Sequence, residues 1–486
     1  MTRPVHVVWF KRDLRTLDHA PLAEAARTGE PVLPLYVAEP SVMHHATDFA
    51  PRHWDFIAAS LRDLNRQLTT LGQSLVFKRD VEVIPVFESI RQTHGIAAIY
   101  AHEETGNAIT YARDREIIRW THIHGIPFRE FPANGVIRRL RTREGWARKW
   151  EARMSRPLIE RPLALAPTAF RSDPLPASGD PASGEDNAHR TLESFLDTRG
   201  HHYHREMSSP VTAFDSCSRL SAHLAYGTIS TRTIVHKTRA RLEEISHPEI
   251  RKALRAFDAR LHWRCHFMQK LEDEPGIEFH NFARSLDGLR GETPDRAKLD
   301  AWSEGCTGYP MIDACMRCLR ETGWINFRMR AMLMSFAAYH LWLHWREPGL
   351  RLARLFADYE PGIHWSQCQM QSGTTGINTL RIYSPTKQVL DHDPQGVFIR
   401  RWIPELRDLP QAYIAEPWKC PSTAKLGGYP REPIVDHATA VREAKAKLAD
   451  FRRRVDVREE ISEVAKKHGS RKSRAPRKSN ALPLFD

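Results

Sequence analysis

Residues 302–345, WSEGCTGYPMIDACMRCLRETGWINFRMRAMLMSFAAYHLWLHW, decide the fold of this chain. Apolar residues recur at helical spacing from Tyr309 to Glu321 and again from Trp324 to Trp345. Aromatics, arginines and acids lie between them more densely than an ordinary core requires. The second stretch is apolar on nearly every face apart from its first turn and a few polar positions, which predicts one central, buried helix. Outward from it, helical patterns also run over Thr228 to Ile245 and Pro248 to Leu271. The chain from His189 onward therefore reads as all-α, with a helical domain over residues 191–450.

The N-terminal 132 residues keep a different rhythm. Short runs rich in Val and Ile, at Val5 to Phe10, Val32 to Val37, Ser74 to Phe77 and Ile96 to Tyr100, alternate with helical patterns such as Trp54 to Leu71 and Ala108 to His122. Such alternation predicts an α/β domain with a parallel, Rossmann-like sheet over residues 1–132. No Gly-rich phosphate loop follows any of the runs, so the dinucleotide fingerprint is missing. Residues 133–190 read as an interdomain linker, because Ala166 to Ala188 is a Pro, Ala, Ser and Gly run without periodicity.

The 72 Lys and Arg against 59 Asp and Glu leave a formal charge of +13, which favours a polyanionic partner, nucleic acid first. Seven scattered cysteines do not form a disulfide framework, and the N-terminus lacks a signal peptide's apolar core, so a cytoplasmic protein is expected. No apolar run approaches the roughly 20 residues that cross a bilayer, so no membrane partner is expected. From about residue 451 the chain is charged and then basic. Lys466, Lys467, Arg471, Lys472, Arg474, Arg477 and Lys478 follow without an acid, and residues 451–486 read as a disordered tail.

TGYPMIDACMR at 307–317, followed by Gly323-Trp324 and by Arg328 and Arg330, resembles the signature of the DNA photolyase and cryptochrome family. Trp9 to Arg15 with Asp18, WFKRDLR, is similar to that family's opening motif. SCSRLSAHLAYGTIS at 216–230 is similar to its segment leading into a helix. The resemblance covers residues 1 to about 450. It implies FAD in the helical domain, blue-light absorption, and a monomer that meets damaged DNA or, as a cryptochrome, a signalling protein partner. The implied cofactor contacts are Tyr203, Ser218, Leu220, Ser221, Arg264, Phe327, Arg330, Asp358, Glu360 and His364. Hydroxyls and free N–H groups at a helix start suit a diphosphate, an arginine near the ring favours its reduced anion, and Asp358 is placed to hold Arg330. His364 falls where the family has the residue facing flavin N5 and reads as a redox tuner.

The implied catalytic set is Trp263, which stacks on an extruded base, with Arg260, Arg328 and His364. Three positions depart from the dimer-binding pattern. Arg260 stands where the family has a glutamate, Phe327 replaces an asparagine, and Met370 replaces a second stacking tryptophan. Cys217 also replaces a hydroxyl residue. The electron relay departs too: Trp345 matches its middle member, Cys368 stands at the proximal position, and Trp342, Trp365 or Tyr359 must supply another route.

Cys315 with Cys318 and His340 with His344 lack the partners a metal site needs, so no metal is expected. A second, antenna chromophore is implied by the family, but Ile109 and Thr110 replace polar or acidic folate contacts and leave its identity unknown. Two functions stay open: light-driven repair of pyrimidine lesions by electron transfer from reduced FAD, as a photo-lyase-like enzyme, or cryptochrome signalling through the same flavin.

Overall fold

The computed structural model describes residues 3–177, 179–377, 380–421, 426–454 and 459–464. Strands β1 (Val5–Phe10), β2 (Val32–Ala38), β3 (Val76–Arg79), β4 (Ile96–His102) and β5 (Phe128–Phe131) form one parallel sheet in the order β3-β2-β1-β4-β5. The first four are the expected runs, with ends moved by a residue or two. The fifth, Phe-Arg-Glu-Phe, is short and half charged, and so carries no apolar run to betray it. Alternate residues serve the two faces: Val5, Val7 and Trp9 enter one core with Leu33 and Leu35, while Val8 and Phe10 enter the other with Tyr36 and Phe77. A parallel sheet covered on both faces needs this continuous apolar sequence.

The stretch read as a linker is not free of either half. Leu165 N donates to Leu71 O at 2.8 Å and Asp173 N to Phe77 O at 2.8 Å, so the chain runs along the sheet domain. Earlier in the same stretch, the helix Trp146–Met154 packs Trp146, Trp150 and Met154 among Leu192, Phe257 and Leu261 of the helical half.

Two apolar cores fill that half. The larger holds Trp302, Tyr309, Phe336, Trp345 and Trp365. Where a single helix was expected over 324–345, the backbone instead breaks. An α-helix covers Phe327–Ser335, a wider π turn covers Phe336–His340, and a new helix starts at Arg346. Trp342 between them lies in the left-handed region at φ 55°. Arg290 Nε donates to Ala338 O at 3.0 Å, and Leu343 N donates to Ala337 O at 3.0 Å, so carbonyls near the break keep their partners. Periodicity misses the break because its residues are as apolar and buried as a helix interior.

The halves meet closely at Gly227. Its φ is 67°, and a Cβ there would lie 2.1 Å from Arg12 O in the loop after β1, so only glycine ends the helix Ser221–Tyr226 at this distance. From the expected tail, residues 459–464 are docked: Glu460 accepts from Arg284 N and Ser285 N at 2.9 and 2.6 Å, and Ile461 and Val464 pack beside Ala283 and Leu286. The basic run Lys466 to Lys478 lies outside the described residues. All seven cysteines are free thiols. Among the described residues no helix is long and apolar enough to cross a membrane.

Candidate cofactor and substrate site

The helices Ser221–Tyr226, Pro248–Asp273, Phe327–Ser335 and Pro361–Ser372 bring most of the expected cofactor residues together. Arg330 donates to both oxygens of Asp358 at 2.9 and 2.8 Å. Burial pushes the Asp358 carboxyl up, but Arg330, a hydrogen bond from Ser221 and the charge of Arg219 together hold it below the usual carboxylate range.

Of the cations around this pair, the sequence pattern pointed to Arg260 but not to Arg199 or Arg219. Arg219, Arg199, Arg260 and Arg330 all act electrostatically on the half-buried Cys217 thiol, whereas Asp358 is the buried carboxylate among them. Arg199 is spent on backbone: it donates to Asp215 O, Cys217 O and Ser218 O, shaping the loop that presents Ser218. Arg219 sits in that loop at φ 60°, with its guanidinium 3.9 Å from the Trp324 ring centroid. Its buried Nη1 has no partner. The signal lies in the Ser-Arg-Leu run at 218–220, which places this arginine between two of the expected cofactor contacts.

Ser218 Oγ accepts from Leu220 N at 3.4 Å. The Leu220 side chain is core, packed with Tyr203 and Phe257, so only its backbone is available to a ligand. Tyr203 is buried edge-on to Phe195 and Phe257, and Arg260 hydrogen-bonds it. On the side facing the sheet domain, Arg264 donates to Glu360 Oε2 at 2.9 Å and to Leu224 O at 3.0 Å. Arg12, from the loop after β1, approaches the same oxygen to 3.9 Å. Glu360 Oε1 is buried without a partner.

These features fit FAD. A half-buried excess of guanidinium groups with a buried, unpartnered N–H on Arg219 suits a diphosphate, and an unpartnered carboxylate oxygen suits a ligand hydroxyl or N–H donor. Phe327 does not join this enclosed set, because it is 39% exposed.

His364 Nε2 lies 2.8 Å from Gly349 O, which fixes the ring proton on that nitrogen and leaves Nδ1 an acceptor. Cys368 Sγ is 3.5 Å from it. Burial lowers His364 to about 4, which favours the neutral imidazole near pH 7. Burial also raises the Cys368 thiol.

Among the candidate relay residues, Trp345 and Trp365 are fully buried, with ring centroids 5.8 Å apart. Trp342 lies apart from them, with Arg290 at 4.5 Å and Lys447 at 4.9 Å from its ring.

Toward the surface, Trp263 is half-buried against His266 and Phe267, and Met370 is also half-buried. Arg260 Nη2 is 3.8 Å from Met207 Sδ, and Arg328 acts electrostatically on Tyr383 and His392. The CxxC and HxxxH residues do not converge: Cys318 faces Trp324 O, and His340 pairs with His437 at 2.8 Å.

A family model described as the FAD binding domain of DNA photolyase matches residues 257–450, and one described as DNA photolyase matches residues 6–156. The chain is 31% identical over 469 residues to the deoxyribodipyrimidine photo-lyase of Vibrio cholerae, covering 89% of this chain and 97% of that protein. It is 28% identical over 519 residues to cryptochrome-1 of Arabidopsis thaliana, covering 96% of this chain and 72% of the relative. The crystal structure of an archaeal photolyase from Sulfolobus tokodaii, described with two FAD molecules and an implied novel light-harvesting cofactor, superposes with a TM-score of 0.77 at 25% identity, covering 92% of this chain and all (100%) of that one.

Proposed function

From its membership of the DNA photolyase and cryptochrome family, to which this chain belongs, we propose that it is a photolyase-like enzyme that binds DNA and repairs ultraviolet-induced pyrimidine lesions. The observation that carries this reading is the group of guanidiniums around Cys217, opposed by the Asp358 carboxylate, with Arg260 hydrogen-bonded to Tyr203. When bound, FAD supplies light absorption and the electron. The chain's own residues do the rest: Arg219 and the Ser218 to Ser221 backbone hold the diphosphate, and Arg330, fixed by Asp358, keeps a positive charge in the pocket. Glu360 accepts from the cofactor, and His364 presents a neutral acceptor. Trp263 stacks on an extruded base at a flipping cost of a few kcal/mol, while Arg260 and Arg328 meet phosphate or base edges.

Arg260 replaces a carboxylate and Phe327 faces outward, which together favour a lesion richer in negative charge or a larger one than the usual dimer. The same departures favour the second reading, a cryptochrome that signals through flavin redox change without repair. The two separate under one assay: retention of damaged duplexes followed by blue light and product analysis. Repair predicts loss of a cyclobutane dimer or of a six-four photoproduct in the light alone. No loss of either abandons repair and leaves the sensor.

A second chromophore has a place in this account. A cavity of about 90 Å³ is lined by Trp9, Tyr36, Arg113, Tyr226 and Tyr359, and an antenna pigment bound there would lie at the carboxyl ends of β1 and β2.

A further inference from the structure

Where a parallel sheet reverses its strand order, the loops after the two neighbouring strands part and leave a crevice at their carboxyl ends. Here the reversal lies between β1 and β4. Lys11 to Asp13, after β1, and His102 to Thr105, from β4 onward, line one wall of a cavity there. The helical half closes the other wall with Leu224, Arg264, Met268 and Glu360. The space open to water centres is about 40 Å³, enough for about three waters at roughly 10–15 Å³ each.

Both ends of this seam are polar. At the inner end Glu360 is 7% exposed, and its Oε1 has no partner. At the sheet end Asp13 Oδ1 accepts from Lys11 N at 2.7 Å, and Oδ2 accepts from His102 Nδ1 at 2.7 Å and His19 Nε2 at 3.0 Å. Asp13, His19 and His102 stand close enough to surround a cation. However, His19 Nδ1 accepts from Leu22 N at 3.1 Å, so its proton sits on Nε2 and the trio is a hydrogen-bonded set rather than a metal set.

His102 donates a hydrogen bond from Nδ1–H to the Asp13 carboxylate, which leaves Nε2 an acceptor. Burial lowers this imidazole to about 3 and so keeps it neutral. The charges facing the cavity are Lys11, Arg12 and Arg264 against Asp13, Glu103, Glu104 and Glu360. Glu103, Thr105, Ala133 and Asn134 form its part-exposed end.

We propose that this seam is a hydrated proton passage, leading from bulk water past Glu103 and His102 to the unpartnered oxygen of Glu360. A proton enters the water chain at the outer end for each one that leaves its inner end into the cofactor pocket beside the Glu360 carboxylate, so charge balances. The passage rests on the reading that FAD is held beside Glu360. It gives the replacement of bulk protons a route that does not use His364, which is neutral and bonded to backbone.

The test compares Ala133→Leu, which plugs the outer end, with Ala133→Ser. FAD content is measured first. Then dithionite, the electron source, reduces the bound flavin while an indicator dye follows proton uptake. The passage predicts wild-type FAD content in both variants, uptake that keeps pace with reduction in wild type and Ala133→Ser, and uptake slowed at least about tenfold in Ala133→Leu. Unaltered uptake in Ala133→Leu overturns it. A wild-type chain without FAD refutes the cofactor reading instead, and ordered waters in a crystal of that chain then decide the passage: a dry cavity overturns it as well.

Discussion

Arg330 and Asp358 clasp one another through two parallel hydrogen bonds of 2.9 and 2.8 Å, with Asp358 all but excluded from solvent. A buried pair of this kind contributes little net stability while intact, but losing one member strands the other's charge.

Arg330→Leu is therefore expected to cost roughly 3–5 kcal/mol and to release FAD, read by denaturant unfolding and by the flavin left after gel filtration. Asp358→Asn keeps a partner for the guanidinium and should cost less. A normal midpoint together with full FAD retention in Arg330→Leu refutes the assigned role.

Glu278 supplies a pH-dependent seam between the halves. Its carboxylate accepts from Ala108 N at 2.8 Å, at the start of the helix Ala108–Ile123. Burial raises the carboxyl from 4.5 to about 7. The unfolded chain ionises it near its ordinary value while the folded chain resists until about 7, so this contribution is complete below pH 4.5 and lost as pH rises to about 7. The loss is on the order of 3 kcal/mol. Urea midpoints between pH 4.5 and 8 should show it, and Glu278→Gln should flatten it. Parallel curves for the two proteins exclude this titration.

Tryptophan substitution should sort the proposed electron routes. A hole on Trp342 meets Arg290 at 4.5 Å, a repulsion of roughly 3–4 kcal/mol at an effective dielectric constant of about 20. No cation-to-ring contact is seen at Trp345 or Trp365 among the described residues. Photoreduction of bound flavin should thus fall in Trp345→Phe and Trp365→Phe and persist in Trp342→Phe. The reverse pattern assigns the relay to Trp342.

Arg328→Ala should weaken DNA binding across sequences and lower the salt-dependence slope by about 1 for the lost phosphate contact. Titrations at several salt concentrations measure it, and an unchanged slope removes Arg328 from the DNA face.

Much of this was legible in the residues. Val5 to Phe10 announced a buried strand because its apolar run fits a sheet covered on both faces, and the pairing of Asp358 with Arg330 was implied by the family resemblance alone. The break at Phe336 to Trp345 was hidden, since a buried break and a buried helix ask for the same side chains. The reach of Arg12 from the sheet domain to Glu360, the unpartnered Nη1 of Arg219, and the meeting of Asp13 with His102 across 89 residues are products of tertiary packing, and no local period encodes them.

Enclosure of FAD by the helical half underlies every role assigned above. Chromophore extraction and an absorption spectrum of the purified chain decide it. The expected result is one FAD per chain, retained through gel filtration or taken up stoichiometrically when supplied. A colourless protein that stays colourless in excess FAD contradicts it.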